Sequence, residues 1–447
     1  MRPTHRSITT GLGWVVVGVG LVWCWWQIRW LGDVRLRLPA FYAWYAGAFG
    51  WYLAGLWLVR RLEGRLSARW TAAALGVVIV AASAARGVLL PTTPTLSNDI
   101  YRYQWDGRVQ RHGFDPYASA PNDPRLAFLQ DEQFPHINFP HLRTVYPPMT
   151  QLAFRLGAFL GGSLTAHKLV FVGAELLLIG ALLFILWRRR QSPLWVAAYA
   201  WHPLVILEIS GSGHNDALGI AMLWLGLAAW EARWWLGAST GFAASCLSKF
   251  VSLLLIPWWW MQRKPRRWLF VFLALAGLPM LMHPTILSAL VESFTAMTTR
   301  GASNASLYVV LAWVIRRADV AFLAALLLGG AFAIWWARRQ PDVISYLVGV
   351  MAAAALLSPA LHPWYVVWLV PCFCFDRSQS LMALSGLVAL AYAVWPGYLL
   401  EGRWELPVWA SVVEYVPVAV LGLWEVSRCR WGLSSRLVTK PTYSVAS

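Results

Sequence analysis

The stretch SNDIYRYQWDGRVQRHGFDPYASAPNDPRLAFLQDEQFPHINFPHLRTVYPP, Ser97 to Pro148, follows an apolar run that ends near Leu90, yet it is crowded with Asp, Arg, His, Tyr and Pro. The whole chain has 20 carboxylates, and six of them (Asp99, Asp106, Asp115, Asp123, Asp131 and Glu132) fall here. Polar groups concentrated between apolar runs mark one large aqueous loop, and the segments on either side are read around it.

With 447 residues, 59% hydrophobic and 13% charged, the chain is far from a soluble globule, in which about 25% of residues are charged. Its mean hydropathy of +0.53 agrees. Apolar runs of roughly 15 to 25 residues recur, each matching a hydrocarbon core about 30 Å thick. Lipid cannot satisfy backbone amides, so these runs must be helices. The fold class is therefore all-α and polytopic. The formal charge of +17 does not imply nucleic acid, because Lys and Arg sit in short clusters between the apolar runs, the pattern of cytoplasmic loops. Cys24, Cys246, Cys372, Cys374 and Cys429 lie mostly within predicted helices and form no CxxC pair, so neither a disulfide framework nor a metal cluster is read. The N-terminal basic start and apolar stretch lack a small-residue cleavage site and read as a first span.

Five basic clusters set the sidedness: Arg60, Arg61 and Arg65; Arg188 to Arg190; Arg263 to Arg267; Arg338 and Arg339; and Arg428 to Lys440. All are expected on the cytoplasmic side. Spans one to three are then 11–29, 40–59 and 70–90, and the Ser97 loop lies outside. To keep the crossings odd, PPMTQLAFRLGAFLGG (147–162) is read as a helix on the outer surface, with Gln151 and Arg155 as its polar edge; the alternative is an ordinary span with one charge cluster on the unexpected side. Spans four, five and six are 166–187, 193–210 and 217–231, with GSGHNDA at Gly211 to Ala217 as an outer turn. The region 234–260 is read as two short helices with Lys249 near their tip, because a charge at midplane is costly. Span nine is 268–283, followed by an outer segment through Asn304. The stretch SLYVVLAWVIRRAD is a second surface helix. Spans ten to fourteen are 318–336, 342–357, 363–376, 379–396 and 408–426, with SPALHPWY at Ser358 to Tyr365 as another outer turn. This makes about fourteen spans in a single integral membrane domain, 1–447, with an extracytoplasmic catalytic loop at 91–165.

Every polar motif then falls on the outer side. Asp99 opens the loop, where partial desolvation and a neighbouring cation suit a general base; the same position also suits a helix cap. Asp106 lies two helical turns on and either supports the same site or pairs with Arg102 at i−4 as a weak surface bridge. His214, Asn215 and Asp216 form a rim at a span mouth, or cap the next helix. His362 precedes a helix that starts at Pro363. Lys249 has no acidic neighbour in sequence, and a phosphate would serve as its partner.

The ordered set NDIYRYQWDGRVQRHGFDPY, VYPPMTQL, GHNDAL, SKFVSLLLIP and HPWYVVWLVP, across about 90 to 375, resembles the GT-C superfamily of polytopic glycosyltransferases. It looks most like the bacterial polyprenol-phosphate-mannose-dependent mannosyltransferases, including the family 87 enzymes. The resemblance implies an inverting transfer of one hexose, expected to be mannose, from a polyprenyl-phosphate carrier to a hydroxyl of a glycan or glycolipid acceptor. The reaction would take place outside the bacterial inner (plasma) membrane, among its lipids. It further implies Asp99, with Asp106, as catalytic; Lys249, Arg102 and His362 at the donor phosphate; and Tyr101, Tyr146, His214, Asn215, Asp216, Trp364 and Tyr365 lining the substrate cavity. No cofactor and no metal are expected, since the leaving group is a monophosphate ester and the chain has no DxD pair or His cluster at this site. The alternatives are a transporter or flippase of lipid-linked sugars, or an O-antigen ligase or polymerase. A transporter would more naturally show two similar halves with carboxylates at midplane.

Overall fold

The computed structural model describes residues 5–262, 265–298 and 303–430. Among these, every regular element is helical, and the protein is an all-α, polytopic membrane protein. Helices α1 (His5–Arg29), α2 (Leu38–Leu62) and α3 (Ala68–Leu89) precede the polar loop. Within the loop lies α4 (Asp99–Arg111), and at its end α5 (Pro148–Phe159); α6 (Leu164–Arg188) follows. Further on are α7 (Asp216–Glu231) and α8 (Trp235–Lys249).

Among the described residues, six helices are long and apolar enough to cross a bilayer, or up to eight if each of two bent pairs is one span. The fourteen expected spans therefore fall partly on shorter or broken helices. α7 has 16 residues and α8 has 15, roughly 24 and 22 Å, so each alone is shorter than the hydrocarbon core. α5, at 12 residues or about 18 Å, is likewise too short to span. One segment differs outright from expectation. After Arg267–Leu281 the chain turns by 90° into a further helix, Pro284–Thr298, where only an outer connection was foreseen. Its amphipathic pattern was missed because span nine was read as running on to 283. The basic cluster Arg263 to Arg267 falls partly, and the tail beyond Arg430 wholly, outside the described residues.

Another bent pair, Pro193–Ala200 and Pro203–Gly211, is broken by 52°. Pro203 lacks the N–H that would continue the first helix, and His202 caps the second by accepting from the Leu204 amide at 3.2 Å. The second segment carries a π-helical turn, Ile206–Gly211, a feature that recurs at functional sites.

Close helix contacts are made at glycines. A Cβ on Gly241 of α8 would sit 2.7 Å from the Gly226 Cα of α7, and one on Gly107 of α4 would sit 2.4 Å from the Phe154 carbonyl oxygen of α5. Such small-residue crossings replace the hydrophobic effect as an organising force between helices in lipid. A buried ion pair adds a polar lock. Arg86 of α3 meets Glu175 of α6 at 2.9 Å, donates to the Ala200 carbonyl at 2.8 Å, and shares Glu175 with the Tyr199 hydroxyl at 3.1 Å. A membrane-buried charge is tolerated when paired and hydrogen-bonded in this way. Several of the 31 tryptophans stitch helices together through their indole N–H: Trp201 to the Val78 carbonyl at 2.8 Å, Trp258 to the Gln340 carbonyl at 3.0 Å.

The bundle has two chemically different ends. At one, Arg189 pairs with Glu231 at 2.6 Å and with Asp342 at 2.7 Å, while Glu63 accepts from Trp195 at 2.8 Å and meets Arg377 at 3.4 Å. Four stretches with basic residues, distant in sequence, are drawn together there. At the far end of α6, roughly 30 Å away along its axis, Lys168 donates to the Thr92 carbonyl at 2.6 Å. The polar loop packs at this second end.

Gly241→Val should separate α7 from α8 and reduce the monodisperse protein recovered in detergent. Gly173→Ala, where a Cβ meets nothing within 4 Å, should leave it unchanged or raise stability by about 0.5–1 kcal/mol. Thermal unfolding of the purified variants measures both.

Candidate functional site

Five segments meet at the loop end. Asp99 begins α4 directly after Asn98, which holds the cap position without a side-chain cap bond. Asp99 is thus the first helical residue and not the cap. It is held by Asn138 of the loop, and its Oδ2 lies 3.9 Å from His214 Nδ1. Gly213, at φ +76°, makes the turn that delivers His214, Asn215 and Asp216 to the start of α7. A Cβ there would lie 2.4 Å from Ile100 Cδ1, so the turn and α4 approach as closely as glycine permits.

Asp216 does not cap α7. It is fully buried: one oxygen accepts from Trp368 Nε1 at 2.7 Å, and the other lies 3.3 Å from Lys249 Nζ. Lys249 has no acidic neighbour in sequence, and the fold supplies one from α7, across a crossing where a Gly219 Cβ would be only 3.0 Å from the Lys249 Cβ. Sequence neighbours could not reveal this pairing. The α8 helix ends at Lys249 because Phe250 takes the left-handed conformation, φ +59°. Thr150 of α5 donates to the Ser248 carbonyl at 2.8 Å, fixing that end. Tyr146 and Tyr365 each present a ring 5.9 Å from the ammonium.

His214 stacks on Trp364 at 4.2 Å, and His362 stacks on the same indole at 4.4 Å. Two imidazoles so close to one ring cannot share a face, so Trp364 is sandwiched. Asn215 accepts from the Tyr103 hydroxyl at 3.3 Å. Asp99, Tyr146, His214, Asn215, Asp216, Lys249, His362, Trp364 and Tyr365 are therefore brought together.

Three expected site residues stand differently. Tyr101 turns to His136 of the loop, ring to ring at 4.9 Å. Asp106 is 1% exposed; it accepts from Arg102 Nε at 2.8 Å and from Gln151 Nε2 at 2.8 Å. The Arg102–Asp106 pair, expected as a weak surface bridge, is thus a buried lock. Arg102 also donates to the Leu142 carbonyl at 3.0 Å, and Gln151 to Thr144 at 2.8 Å, so the network pins α4, α5 and the loop strand between them.

Of the charged groups in the cluster, Asp99 and Lys249 keep solvent contact, with side chains 31% and 17% exposed against 0% for Asp216 and 1% for His214. They border a crevice, not bulk solvent. Desolvation raises the Asp99 carboxyl above its ordinary value; the Lys249 charge opposes this, Asp216 adds to it, and the Asn138 hydrogen bond opposes it. The arrangement offers a base beside a cation, in a setting where charges interact strongly.

The geometry also shows functional candidates that the sequence reading did not select. Glu208, in the π-helical turn, lies 3.4 Å from His214 Nε2 and accepts from the Tyr392 hydroxyl at 2.6 Å. A lone acid inside the apolar run 193–210 was the signal for it. Trp368 sits within the HPWY motif region, but nothing local announces its bond to Asp216.

Residues 7–263 match a family model described as Alpha-(1->6)-mannopyranosyltransferase, N-terminal domain. The chain belongs to this mannosyltransferase family. Among curated proteins, Alpha-(1->6)-mannopyranosyltransferase A of Mycobacterium tuberculosis (strain ATCC 25618 / H37Rv) is 24% identical over 383 residues, covering 75% of this chain and 71% of that protein. No solved structure matches. A mannosyltransferase family, of membrane-embedded glycosyltransferases, decides against the transporter reading. The matched region contains Asp99, Glu208, His214, Asp216 and Lys249, while His362, Trp364 and Tyr365 lie beyond it.

The buried lock makes a separable prediction. Asp106→Ala leaves the Arg102 guanidinium without its counter-charge and should lower unfolding stability by about 3–5 kcal/mol. Unchanged thermal stability with lost turnover would instead assign Asp106 to chemistry.

Proposed function

We propose that the protein transfers a single mannosyl unit from a polyprenyl-phosphate carrier to a hydroxyl of a glycan or glycolipid acceptor, with inversion at the anomeric carbon. Asp99 takes the acceptor proton, and the Lys249 ammonium steadies the departing phosphate. The observation that carries this reading is the meeting of Asp99 and Lys249 at one crevice, both partly exposed beside the buried Asp216 and His214. A base, a cation and a shaped cavity are the main requirements of such a displacement.

Lys249 remains suited to the phosphate although it is paired. Its ammonium has three donors, and Asp216 engages one side only. The two tyrosine rings leave the remaining donors facing the cavity. His362 backs Trp364, and Arg102 keeps a buried Nη2 without a hydrogen-bond partner near the Tyr146 ring. Both stand close enough to the crevice to shape the donor site. In this reading residues 91–165 are the catalytic loop of one integral membrane domain.

The reaction is placed on the extracytoplasmic side of the bacterial plasma membrane. Support comes from the arginine-rich end of the bundle, which the positive-inside tendency assigns to the cytoplasm; the site lies at the other end. The names of the family and of the mycobacterial relative support mannose as the donor sugar and a 6-hydroxyl as the acceptor.

Asp99→Asn should lower mannosyl transfer from polyprenyl-phosphate-mannose by about 100-fold or more without loss of folded protein. Wild-type turnover would remove the base. Because only the carboxylate can accept the proton, wild-type activity should fall as pH drops through a value above 3.8, the ordinary carboxyl value. Lys249→Ala should raise the apparent KM for the donor, and an unchanged KM would count against the phosphate role. Single cysteines placed at 97–146 and 358–365 should react with an impermeant thiol reagent added outside intact cells; protection there with labelling near Arg189 would invert the orientation.

A further inference from the structure

As the proposed base, Asp99 must shed the proton it accepts before it can work again. A line of buried groups leads away from it. Asp99 Oδ2 lies 3.9 Å from His214 Nδ1, His214 Nε2 lies 3.4 Å from Glu208 Oε2, and Glu208 Oε1 accepts from the Tyr392 hydroxyl at 2.6 Å. Both ring nitrogens and Glu208 Oε2 are buried without a hydrogen-bond partner, so these are close approaches that a small shift would close into bonds. Trp364 against the ring, with His362 on its far face, prevents the imidazole from swinging. Only protons can move along this line.

A neutral imidazole has one donor and one acceptor nitrogen. With the proton on Nε2, the nitrogen nearer the Glu208 carboxylate, Nδ1 presents a lone pair to Asp99. Two lone-pair atoms do not bond, which fits their 3.9 Å separation. Other ionisable groups face the line from each packed element: Lys249 of α8, Asp216 of α7, His362 and Tyr365 of the outer turn, Tyr45 of α2, and Tyr103 of α4. Burial first, and then the Lys249 charge and His362, disfavour a charged imidazolium, so a route that keeps the ring neutral is the one these surroundings permit.

We propose that Glu208, acting through His214, is a positioning residue that receives the proton Asp99 takes from the acceptor. As the acceptor oxygen bonds to the anomeric carbon, the bond from that carbon to the phosphate oxygen breaks, and its electron pair leaves with the phosphate. The acceptor O–H proton passes to Asp99. The new Asp99 O–H then donates its proton to His214 Nδ1 while Nε2–H is released to the Glu208 carboxylate. The ring gains one proton and loses one. Asp99 returns to the carboxylate with product still bound, and the proton goes back along the same line to water once the crevice empties. This inference rests on Asp99 as the base.

Glu208→Gln tests it, because the amide oxygen can still accept from Nε2–H and Tyr392 but cannot take up a proton. In purified protein supplied with polyprenyl-phosphate-mannose and acceptor, kcat should fall on the order of tenfold or more, with the donor KM unchanged and one ionisation missing from the acid limb of the pH–kcat profile. Glu208→Asp should restore part of the rate. Tyr392→Phe removes the hydroxyl whose hydrogen bond holds Glu208 Oε1, so both kcat and the acid limb should change; this variant carries the test if Glu208→Gln is not recovered folded. An inactive Asp99→Asn beside a Glu208→Gln and a Tyr392→Phe with the wild-type rate and pH profile would overturn the line and leave the base in place. An active Asp99→Asn would instead overturn the base itself.

Discussion

The Lys249–Asp216 pair is the interaction on which the arrangement of this end of the bundle depends. An ammonium in an apolar hairpin must find an opposite charge, and the first residue of α7 supplies it at 3.3 Å. The pair fixes where α8 stops relative to where α7 starts. Trp368 then ties the third partner to the same carboxylate, bringing the HPWY turn over the cavity. Removing either charge would leave the other stranded in a low-dielectric setting, at a cost of several kcal/mol.

Polar groups elsewhere in the described bundle make an instructive contrast. Arg86 with Glu175, and Arg102 with Asp106 and Gln151, sit in dense hydrogen-bond networks that hold helices in place. In the site, both nitrogens of His214, Nδ2 of Asn215 and Oε2 of Glu208 are buried without a hydrogen-bond partner. Buried polar atoms are normally satisfied. The Arg86–Glu175 lock obeys that rule and the Arg102 lock leaves only Nη2 unpaired, whereas the candidate site gathers several such atoms, as a cavity shaped for a polar ligand would.

Much of this was legible in the sequence, for reasons that differ by element. Apolar runs and lipid chemistry dictate helices, so the fold class follows from composition. The end of α8 at Lys249 follows from the cost of a midplane charge. Motifs with adjacent polar residues, such as His214 to Asp216, could be assigned to one end of the bundle because each lies between two apolar runs. Spatial partners could not be read. The Asp216 that neutralises Lys249 lies 33 positions away, and nothing local distinguishes Asp106, locked by Gln151, from Asp99, which borders the crevice. Short and broken helices escaped a reading based on span length. So did the helix Pro284–Thr298, because an amphipathic segment beside an apolar run blends into it.

Determining a cryo-EM structure with a polyprenyl-phosphonate mannose analogue bound would test the central claim most directly. The phosphonate should lie within hydrogen-bonding distance of Lys249 Nζ, with the anomeric carbon between it and Asp99 and the isoprenoid chain leaving toward the bilayer. Finding the phosphonate at the arginine-rich end, beside Arg189 and Arg377, would contradict it.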